Sequence, residues 1–277
     1  MRDNTRRLNP AAYRQQSQRT EPSPQQKEVP VPSFFVDLPS RGLLYPKEHP
    51  LHNKEKIEIK EMTAREEEIL SSQEFVKAGV AIDRFLDAVV IDLNIDTKSI
   101  LLADRSAVVY ESRKRAYGEA LYLQQYECPE CGEKQKRKTN ISFEAIPKDY
   151  TEFSPFAIIN EDGRIEFTLS NGQTLQCSGV DIRTEDEIVK TISEKPDSSF
   201  INMLLKSVVY SIDEEKDKEV LKEMLLDIPA RDSKKIRQTY QKMLPEAKAR
   251  VSIKCSKCSH VNDTEVPLNA DFFWLID

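Results

Sequence analysis

The residues best suited to chemistry in this 277-residue chain are two Cys-x-x-Cys pairs, Cys128 with Cys131 and Cys255 with Cys258. Each pair can form a tight turn that points two thiolates to the same side. Four thiolates make a closed tetrahedral site for Zn²⁺, with no position left for water. We therefore predict one structural zinc site made of all four cysteines.

The residue after each pair supports the same kind of turn. Gly132 follows the first pair and allows the positive φ that such a turn needs, whereas Ser259 takes this position after the second pair. Each pair also comes at the end of a predicted strand. The sequence between Cys131 and Cys255 is far longer than the about 15–20 residues of a common zinc ribbon. We therefore predict a split ribbon with a large insertion, closed by the metal.

The wide spacing leaves two alternatives, which are two separate metal sites or pairs that bind no metal. Structural zinc binds with about 10–16 kcal/mol, which far exceeds the cost of closing so long a loop. A redox role would favour one pair at the start of a helix, rather than two pairs after strands.

The remaining thiol and imidazole groups are predicted to be structural. Cys177 is expected to be a buried strand residue. His260 could replace a thiolate of the second pair, but we expect a surface side chain. His49 and His52 fall in a polar loop. The sequence contains no phosphate-binding glycine loop, no HExxH and no nucleophile elbow, so we predict a protein that is not an enzyme.

Composition limits the class of protein. Hydrophobic residues make up 39% and charged residues 32%, which is too apolar for disorder throughout yet leaves much polar surface. The net charge of −6 argues against general nucleic-acid binding. No segment has the about 20 apolar residues of a membrane span, and the N-terminus lacks a signal-peptide core. We expect a soluble protein made in a cytoplasm, where paired cysteines favour metal over disulfides.

Hydrophobic periodicity predicts the elements of the N-terminal half. Residues 1–32 form a disordered, basic, Pro/Gln-rich tail. Residues 33–124 contain an extended segment, a short strand at 56–60 and a compact helical bundle. The first predicted helix runs from Thr63 to Phe75 and starts with a capping box of Thr63 and Glu66. Two further helices are predicted at 80–93 and 100–123.

The second half combines the ribbon with its insertion. The ribbon module covers 125–144 and 248–277, and the inserted subdomain covers 145–247. A hairpin is predicted at Asn171–Gly172, with a two-residue turn. Helices are predicted at 184–194, with a capping box of Thr184 and Glu187, and at 198–212, 214–227 and 232–244. The predicted class is α+β: an N-terminal helical bundle, a split zinc-ribbon-like module with four cysteines, and an inserted β-hairpin plus helical region.

Four segments, in this order, resemble a known family. They are LPSRGLLYP at 38–46, MTAREEEIL at 62–70, LLADRSAVVYESRKRAYGEALY at 101–122 leading into the CPEC pair, and NADFFWLID at 269–277. The sequence resembles the baseplate hub subunit and hub-assembly proteins of T-even-like contractile-tailed bacteriophages over about residues 34–140 and 250–277. Residues 145–245 match only loosely, by position.

The resemblance implies a non-enzymatic role in building the tail baseplate hub, as a subunit or as an assembly chaperone. Its partners would be other baseplate and tail hub proteins. We expect no binding to a membrane, and binding to nucleic acid is not expected either. The protein would act in the host cytoplasm during assembly and, as a subunit, would remain in the virion tail. By position, the resemblance points to Asp104, Arg113, Tyr117 and Gly118. It also suggests partner-binding residues, namely Arg41, Leu43, Leu44, Tyr45, Phe272, Phe273 and Trp274.

Two choices remain open at these positions. The aromatic cluster Phe272–Trp274 either folds back onto the chain's own core or inserts into a partner as an anchor. The segment SRGLLYP faces the same choice. Asp104 and Arg113 are nine residues apart on one predicted helix, so we expect each to find a different partner.

The alternative function is a zinc-ribbon regulator that binds nucleic acid. Its phosphate-binding stripe would consist of Lys134, Lys136, Arg137, Lys138 and the cluster 113–115. The pI of 5.4 and the lack of aromatic residues within this basic run argue against it. The same run is also typical of a solvated strand face.

Overall fold

The computed structural model describes residues 31–146, 148–194 and 206–275, in which helices and antiparallel strands share the chain. The helices are α1 (Ala64–Ser71), α2 (Gln73–Lys77), α3 (Ala81–Val89), α4 (Leu102–Tyr117), α5 (Ile182–Glu194), α6 (Lys218–Asp227) and α7 (Ala230–Met243). The strands are β1 (Ser33–Asp37), β2 (Lys56–Lys60), β3 (Ala120–Glu127), β4 (Lys134–Ile146), β5 (Ala157–Ile159), β6 (Ile165–Thr168), β7 (Thr174–Cys177), β8 (Val209–Ile212), β9 (Glu246–Lys254) and β10 (Val261–Glu265). The predicted α+β class is confirmed. The predicted tail falls almost entirely outside the described residues, and the division into domains stays a prediction.

The N-terminal elements follow their local signals. β1 and β2 form an antiparallel pair in which alternate residues are buried, as the alternation of KIEIK predicts. Thr63 and Glu66 form the predicted capping box at the start of α1. The helix does not continue unbroken to Phe75, because Ser72 adopts an extended conformation and caps α2.

The predicted helix 100–123 is too long at its C-terminal end. α4 stops at Tyr117, because Gly118 takes a φ of 77° and its N–H bonds to the carbonyl of Lys114. The chain then turns into β3, where Leu121 is fully buried. The N-terminal region is therefore a set of helices beside a strand pair, and its last predicted turns belong to a sheet.

Both thiol pairs belong to one four-stranded sheet with the order β10-β9-β4-β3. β3 and β4 form one antiparallel hairpin, and β9 and β10 form another. The hairpins join through β4 and β9, which pair from Ile141 with Val251 to Ile146 with Glu246. α4 packs against this sheet, where the rings of Tyr110 and Phe143 stack with centroids 4.3 Å apart. Two halves that are distant in sequence thus form one module.

The insertion contains a second four-stranded sheet, β5-β6-β7-β8, and not a hairpin alone. The predicted hairpin at Asn171–Gly172 is present, but its turn is longer than two residues. The N–H of Leu169 still bonds to the carbonyl of Gln173, and Gly172 has a φ of 86°. This is a three-residue loop with glycine in the left-handed conformation.

Two predictions for the inserted helices need correction. β8 occupies the end of the predicted helix 198–212, because the β-branched run before Ile212 pairs with β7 and buries Val209. The part of that helix at 195–205 lies outside the described residues. α5 begins before Thr184, since Asp181 accepts the N–H of Thr184 at 2.9 Å and caps the helix in place of a Thr184–Glu187 box. None of the described helices has the length and apolarity needed to cross a membrane.

Candidate metal centre

The two Cys-x-x-Cys pairs form equivalent turns at the ends of β3 and β9. In the first, Cys128 N–H donates to the carbonyl of Glu133 at 3.0 Å, and Gly132 N–H donates to the carbonyl of Cys128 at 2.9 Å. In the second, the same two bonds join Cys255 to His260 at 2.8 Å and Ser259 to Cys255 at 3.2 Å. These bonds point both cysteines of a pair to one side of the turn.

The positive backbone angle expected after each pair is present in both turns. Gly132 has a φ of 67° and Ser259 a φ of 60°. Glycine reaches this region without penalty, whereas serine places a Cβ against its own carbonyl group. The second turn is therefore the more strained of the two.

The turns bring the four sulfurs together. The sulfurs of Cys128 and Cys258 are 3.7 Å apart, as are those of Cys131 and Cys255, and all four lie within 4.8 Å of one another. A metal ion with four sulfurs at about 2.3 Å requires sulfur–sulfur distances of about 3.8 Å. Disulfides would need about 2.05 Å, and the cysteines are free. The four cysteines thus form one potential metal site, as the split-ribbon prediction requires.

Gln135 on β4 connects the two turns. Its Nε2 donates to the sulfur of Cys255 at 3.2 Å, while its Oε1 accepts the N–H of Ser256 at 3.0 Å and the hydroxyl at 2.8 Å. Lys257 adds a bond from its N–H to the sulfur of Cys255 and an ion pair with Glu133 at 2.8 Å. Sequence reasoning missed Gln135, because it lies inside a basic run. Strand alternation is the signal that separates it from the neighbouring lysines.

Hydrogen bonds to the sulfurs lower the pKa of the thiols, whereas the closeness of the other thiols raises it. The N–H of Cys258 and the amide of Gln135 lower the pKa of Cys255 to about 6, so this sulfur is a thiolate at neutral pH. At Cys258 the N–H of His260 lowers the pKa, but burial and the neighbouring thiols outweigh it and raise the pKa to about 12. A cation among the four sulfurs would favour the thiolate form of all of them, Cys258 included.

The other thiol and imidazole groups lie apart from the four sulfurs. Cys177 is fully buried in β7, as predicted, and burial raises its pKa. The ring of His260 is not part of the cluster among the described residues. His49 and His52 both contact Tyr45. His49 stacks on Tyr45 with ring centroids 4.4 Å apart, and the Nδ1 of His52 lies 2.6 Å from the carbonyl oxygen of Tyr45.

Asp104 forms a buried node between α4 and the SRGLLYP segment. Its carboxylate accepts the N–H of Ser40 at 2.9 Å, the hydroxyl of Ser40 at 2.6 Å and the hydroxyl of Tyr45 at 2.7 Å. The Tyr45 oxygen in turn accepts the N–H of Leu101 at 3.0 Å. Burial raises the pKa of Asp104, and the bonds from Ser40 and Tyr45 only partly oppose this.

This node involves part of the suggested partner surface. Leu44 and Tyr45 are buried in the chain's own core, so their side chains are not on the surface of the described structure. Leu43 is half-buried. Arg41 is exposed, and its guanidinium donates to the carbonyl of Lys148 at 3.2 Å.

Arg113 forms a second buried node, at the C-terminal end of the chain. Its guanidinium is fully buried, and its hydrogen-bond partners among the described residues are all carbonyl oxygens. These are Phe272 at 2.9 Å, Gly118 at 2.6 Å, Ala120 at 2.9 Å and Leu275 at 3.2 Å. Arg113 and Asp104 therefore have separate partners, as expected from their spacing.

The aromatic end folds back onto the core. Phe272 and Phe273 are buried, and the guanidinium carbon of Arg113 lies 5.0 Å from the centre of the Phe272 ring. These two phenylalanines are therefore core residues and not surface anchors. Trp274 keeps 36% of its surface exposed and lies beside Tyr117.

The basic stripe required for nucleic-acid binding is incomplete. Arg113 is buried, and the ammonium of Lys114 lies 3.0 Å from the carboxylate of Glu119. Arg115 forms an ion pair with Glu61 at 3.3 Å, and Lys134 lies 3.7 Å from Glu127. The stripe is thus a face of mixed charge.

Comparison with known proteins supplies the family. A family model described as T4 bacteriophage base plate protein matches residues 44–274, a range that contains Asp104, Arg113 and all four cysteines. Searches of curated proteins and of solved structures found no match. Because the match covers most of the chain, this protein belongs to the T4 bacteriophage base plate protein family.

Proposed function

We propose that this chain is a structural subunit or assembly chaperone of the phage baseplate hub, that it binds other tail proteins, and that it carries a structural Zn²⁺ ion. The family match carries this proposal, since baseplate proteins act by contacting one another. The protein would then act in the host cytoplasm during assembly. As a subunit, it would also be present in the virion tail.

The chemistry of the donor set supports zinc as the ion. Four cysteine sulfurs, of which Cys128 and Cys255 are buried, favour a soft tetrahedral ion. Bound there, zinc would supply only a structural link, because four protein ligands leave no open position for water or substrate. Gln135 would orient the sulfur of Cys255 toward the ion.

Of the suggested partner-binding residues, Arg41 and Trp274 keep the most exposed side chains. Trp274 borders a groove of about 430 Å³ beside α2, lined by Leu70, Ser71, Gln73, Val76, Lys77 and Asp271. Trp and Arg are the residue types that contribute most often to protein interfaces. We propose these two residues as contacts to another hub protein.

Co-expression with the recombinant hub and tail-tube proteins of the same phage tests this proposal. We expect one of them to copurify with the wild-type chain, and Trp274→Ser or Arg41→Glu to reduce its recovery. Val189→Ser is a matched control, because Val189 is 60% exposed but lies on α5. A chain that binds none of these proteins would contradict the proposal. Mass spectrometry of purified virions then separates a subunit, which stays in the particle, from a chaperone.

A further inference from the structure

The outer edge of β1 is an unused hydrogen-bonding surface. The N–H of Leu38 bonds to the carbonyl of Glu55 at 2.7 Å, and the N–H of Glu61 bonds to the carbonyl of Pro32 at 2.8 Å. These two bonds fix the hydrogen-bonding pattern of the ladder. The backbone N–H and C=O groups of the even-numbered residues of β1 therefore point toward β2. The N–H and C=O groups of Ser33, Phe35 and Asp37 therefore point away from β2. Within the described part of the chain, no backbone group pairs with them.

An apolar side chain lies at the centre of this edge. Phe35 is 64% exposed, although its neighbours in β1 are buried beneath the sheet. It faces solvent in the same row as Glu58, whose carbonyl accepts the N–H of Ile91 at 3.5 Å. Ile91 is itself 42% exposed. Phe35 and Ile91 are thus exposed apolar side chains on either side of Glu58.

The other described edges are protected more fully than the edge of β1, which carries one charged residue, Asp37. On β3, the N–H of Tyr122 bonds to the carbonyl of Leu275 at 3.0 Å, so the chain end covers this edge. β10 carries Asp263 and Glu265, and β8 is joined at Ile212 by a bridge to Glu215. β5 is only three residues long. Charges, short strands and covering segments are the usual protections of edge strands.

We propose that β1 pairs with β1 of a second copy of this chain, antiparallel and across a twofold axis at Phe35. A strand centred on its exposed residue is self-complementary, because Phe35 meets Phe35 of the partner copy and Ser33 meets Asp37 of the partner copy. Every outward N–H and C=O of these residues then finds a partner. No like charges face each other, and Asp37 keeps its ion pair with Lys56 at 3.0 Å.

The size of the contact determines its strength. Stable interfaces bury about 1,200–2,000 Å², which is more than one five-residue edge supplies. The dimer should therefore form reversibly as the protein concentration rises. The inference is independent of the proposed hub role, since it needs no other tail protein.

Sedimentation velocity of the full chain over a concentration series tests this inference. The wild-type protein should shift from monomer to dimer. Phe35→Pro removes the outward N–H without touching the β1–β2 ladder, and should weaken association at least about tenfold. Phe35→Ala keeps the N–H and should have an intermediate effect.

Asp263→Pro is the matched control. The bonds from Cys255 N–H to the His260 carbonyl and from Val266 N–H to the Ala249 carbonyl show that Asp263 also directs its N–H away from its ladder. This variant should associate like the wild type. A wild-type protein that stays monomeric at every concentration would overturn the inference, as would a Phe35→Pro variant that still dimerises. Protection of the Phe35 amide from hydrogen exchange in a monomer would assign the edge to another segment of the same chain, and would also overturn it.

Discussion

At the scale of single residues, Arg113 connects parts of the chain that are far apart in sequence. Its guanidinium is buried and bonds to the carbonyls that end α4, begin β3 and close the C-terminal turn. Lysine has the charge but not the planar fork, so it cannot reach carbonyls on both sides. We predict that Arg113→Lys lowers the free energy of unfolding in urea by about 2–4 kcal/mol.

Arg115→Lys is the control for this change. It is the same substitution on the same helix, but the side chain of Arg115 is 50% exposed and its ion pair with Glu61 is on the surface. Such pairs contribute about 0–1 kcal/mol. A similar loss in both variants would mean that the carbonyl contacts of Arg113 are not important.

Asp104 should leave a signature in the pH dependence of stability. Burial raises its pKa in the folded state above the unfolded value of about 3.9. The folded protein then holds this proton more tightly, so the contribution of Asp104 is largest below the unfolded pKa and is lost as pH rises through the folded pKa. We predict that the unfolding free energy of the wild type minus that of Asp104→Asn decreases with rising pH in this window.

Urea denaturation of both proteins at a series of pH values measures this difference. Both carry the same four cysteines, so loss of metal at low pH affects them equally. A difference that stays constant across the window would contradict the prediction.

At the scale of elements, the two cysteine turns provide a matched pair of substitutions. Gly132 and Ser259 occupy the same position and both have positive φ. A Cβ added at Gly132 would meet no atom within 4 Å, so only backbone strain is involved. We predict that Gly132→Ala destabilises and Ser259→Gly stabilises the folded protein, each by about 0.5–1 kcal/mol. Thermal unfolding gives the sign of each change in stability. Shifts of Tm in the same direction for both variants would contradict the equivalence of the two turns.

The start of α5 provides a second comparison between elements. Asp181 accepts both the N–H and the hydroxyl of Thr184, at 2.9 and 2.8 Å. We predict that Asp181→Ala costs about 1 kcal/mol, similar to Thr63→Ala at the capping box of α1, whereas Thr184→Ala costs clearly less. Urea denaturation of the three variants checks the order. A larger loss at Thr184 would contradict the assignment of Asp181 as the cap.

Local signals in the sequence were sufficient for local structure. The Thr63 capping box, the alternation of β2 and the positive φ at Gly132 each depend on a few neighbouring residues. Structure that depends on distant pairing was harder to predict. The predicted helix 100–123 takes in the first half of β3, because its leucines continue the spacing of α4 and a single glycine does not always end a helix. Only its pairing with β4 makes it a strand.

The same contrast holds for the candidate site. Residue type and spacing were sufficient to predict that four sulfurs meet, and the structure places them together. The sequence also indicated that Asp104 and Arg113 have separate partners. It could not indicate which, because Arg113 bonds to backbone carbonyls, and carbonyls have no sequence signature.

At the scale of the whole molecule, the cluster of four cysteines and the β4–β9 ladder join the two ends of a long insertion. α4 packs on this sheet, and the C-terminal turn covers the edge of β3. A scaffold held at both ends presents its outer surfaces in fixed positions, which suits a member of a baseplate family. Such a scaffold requires that both cysteine pairs share one ion.

Native mass spectrometry of the full chain, purified with zinc present, tests this most directly. We predict one zinc ion per chain in the wild type, and none in either the double variant Cys128→Ser/Cys131→Ser or the double variant Cys255→Ser/Cys258→Ser, because the remaining pair alone supplies only half of the ligands. Cys177→Ser, which changes a cysteine outside the cluster, should keep its ion. Two ions per chain, no ion, or an ion that survives the loss of one pair would contradict a shared site.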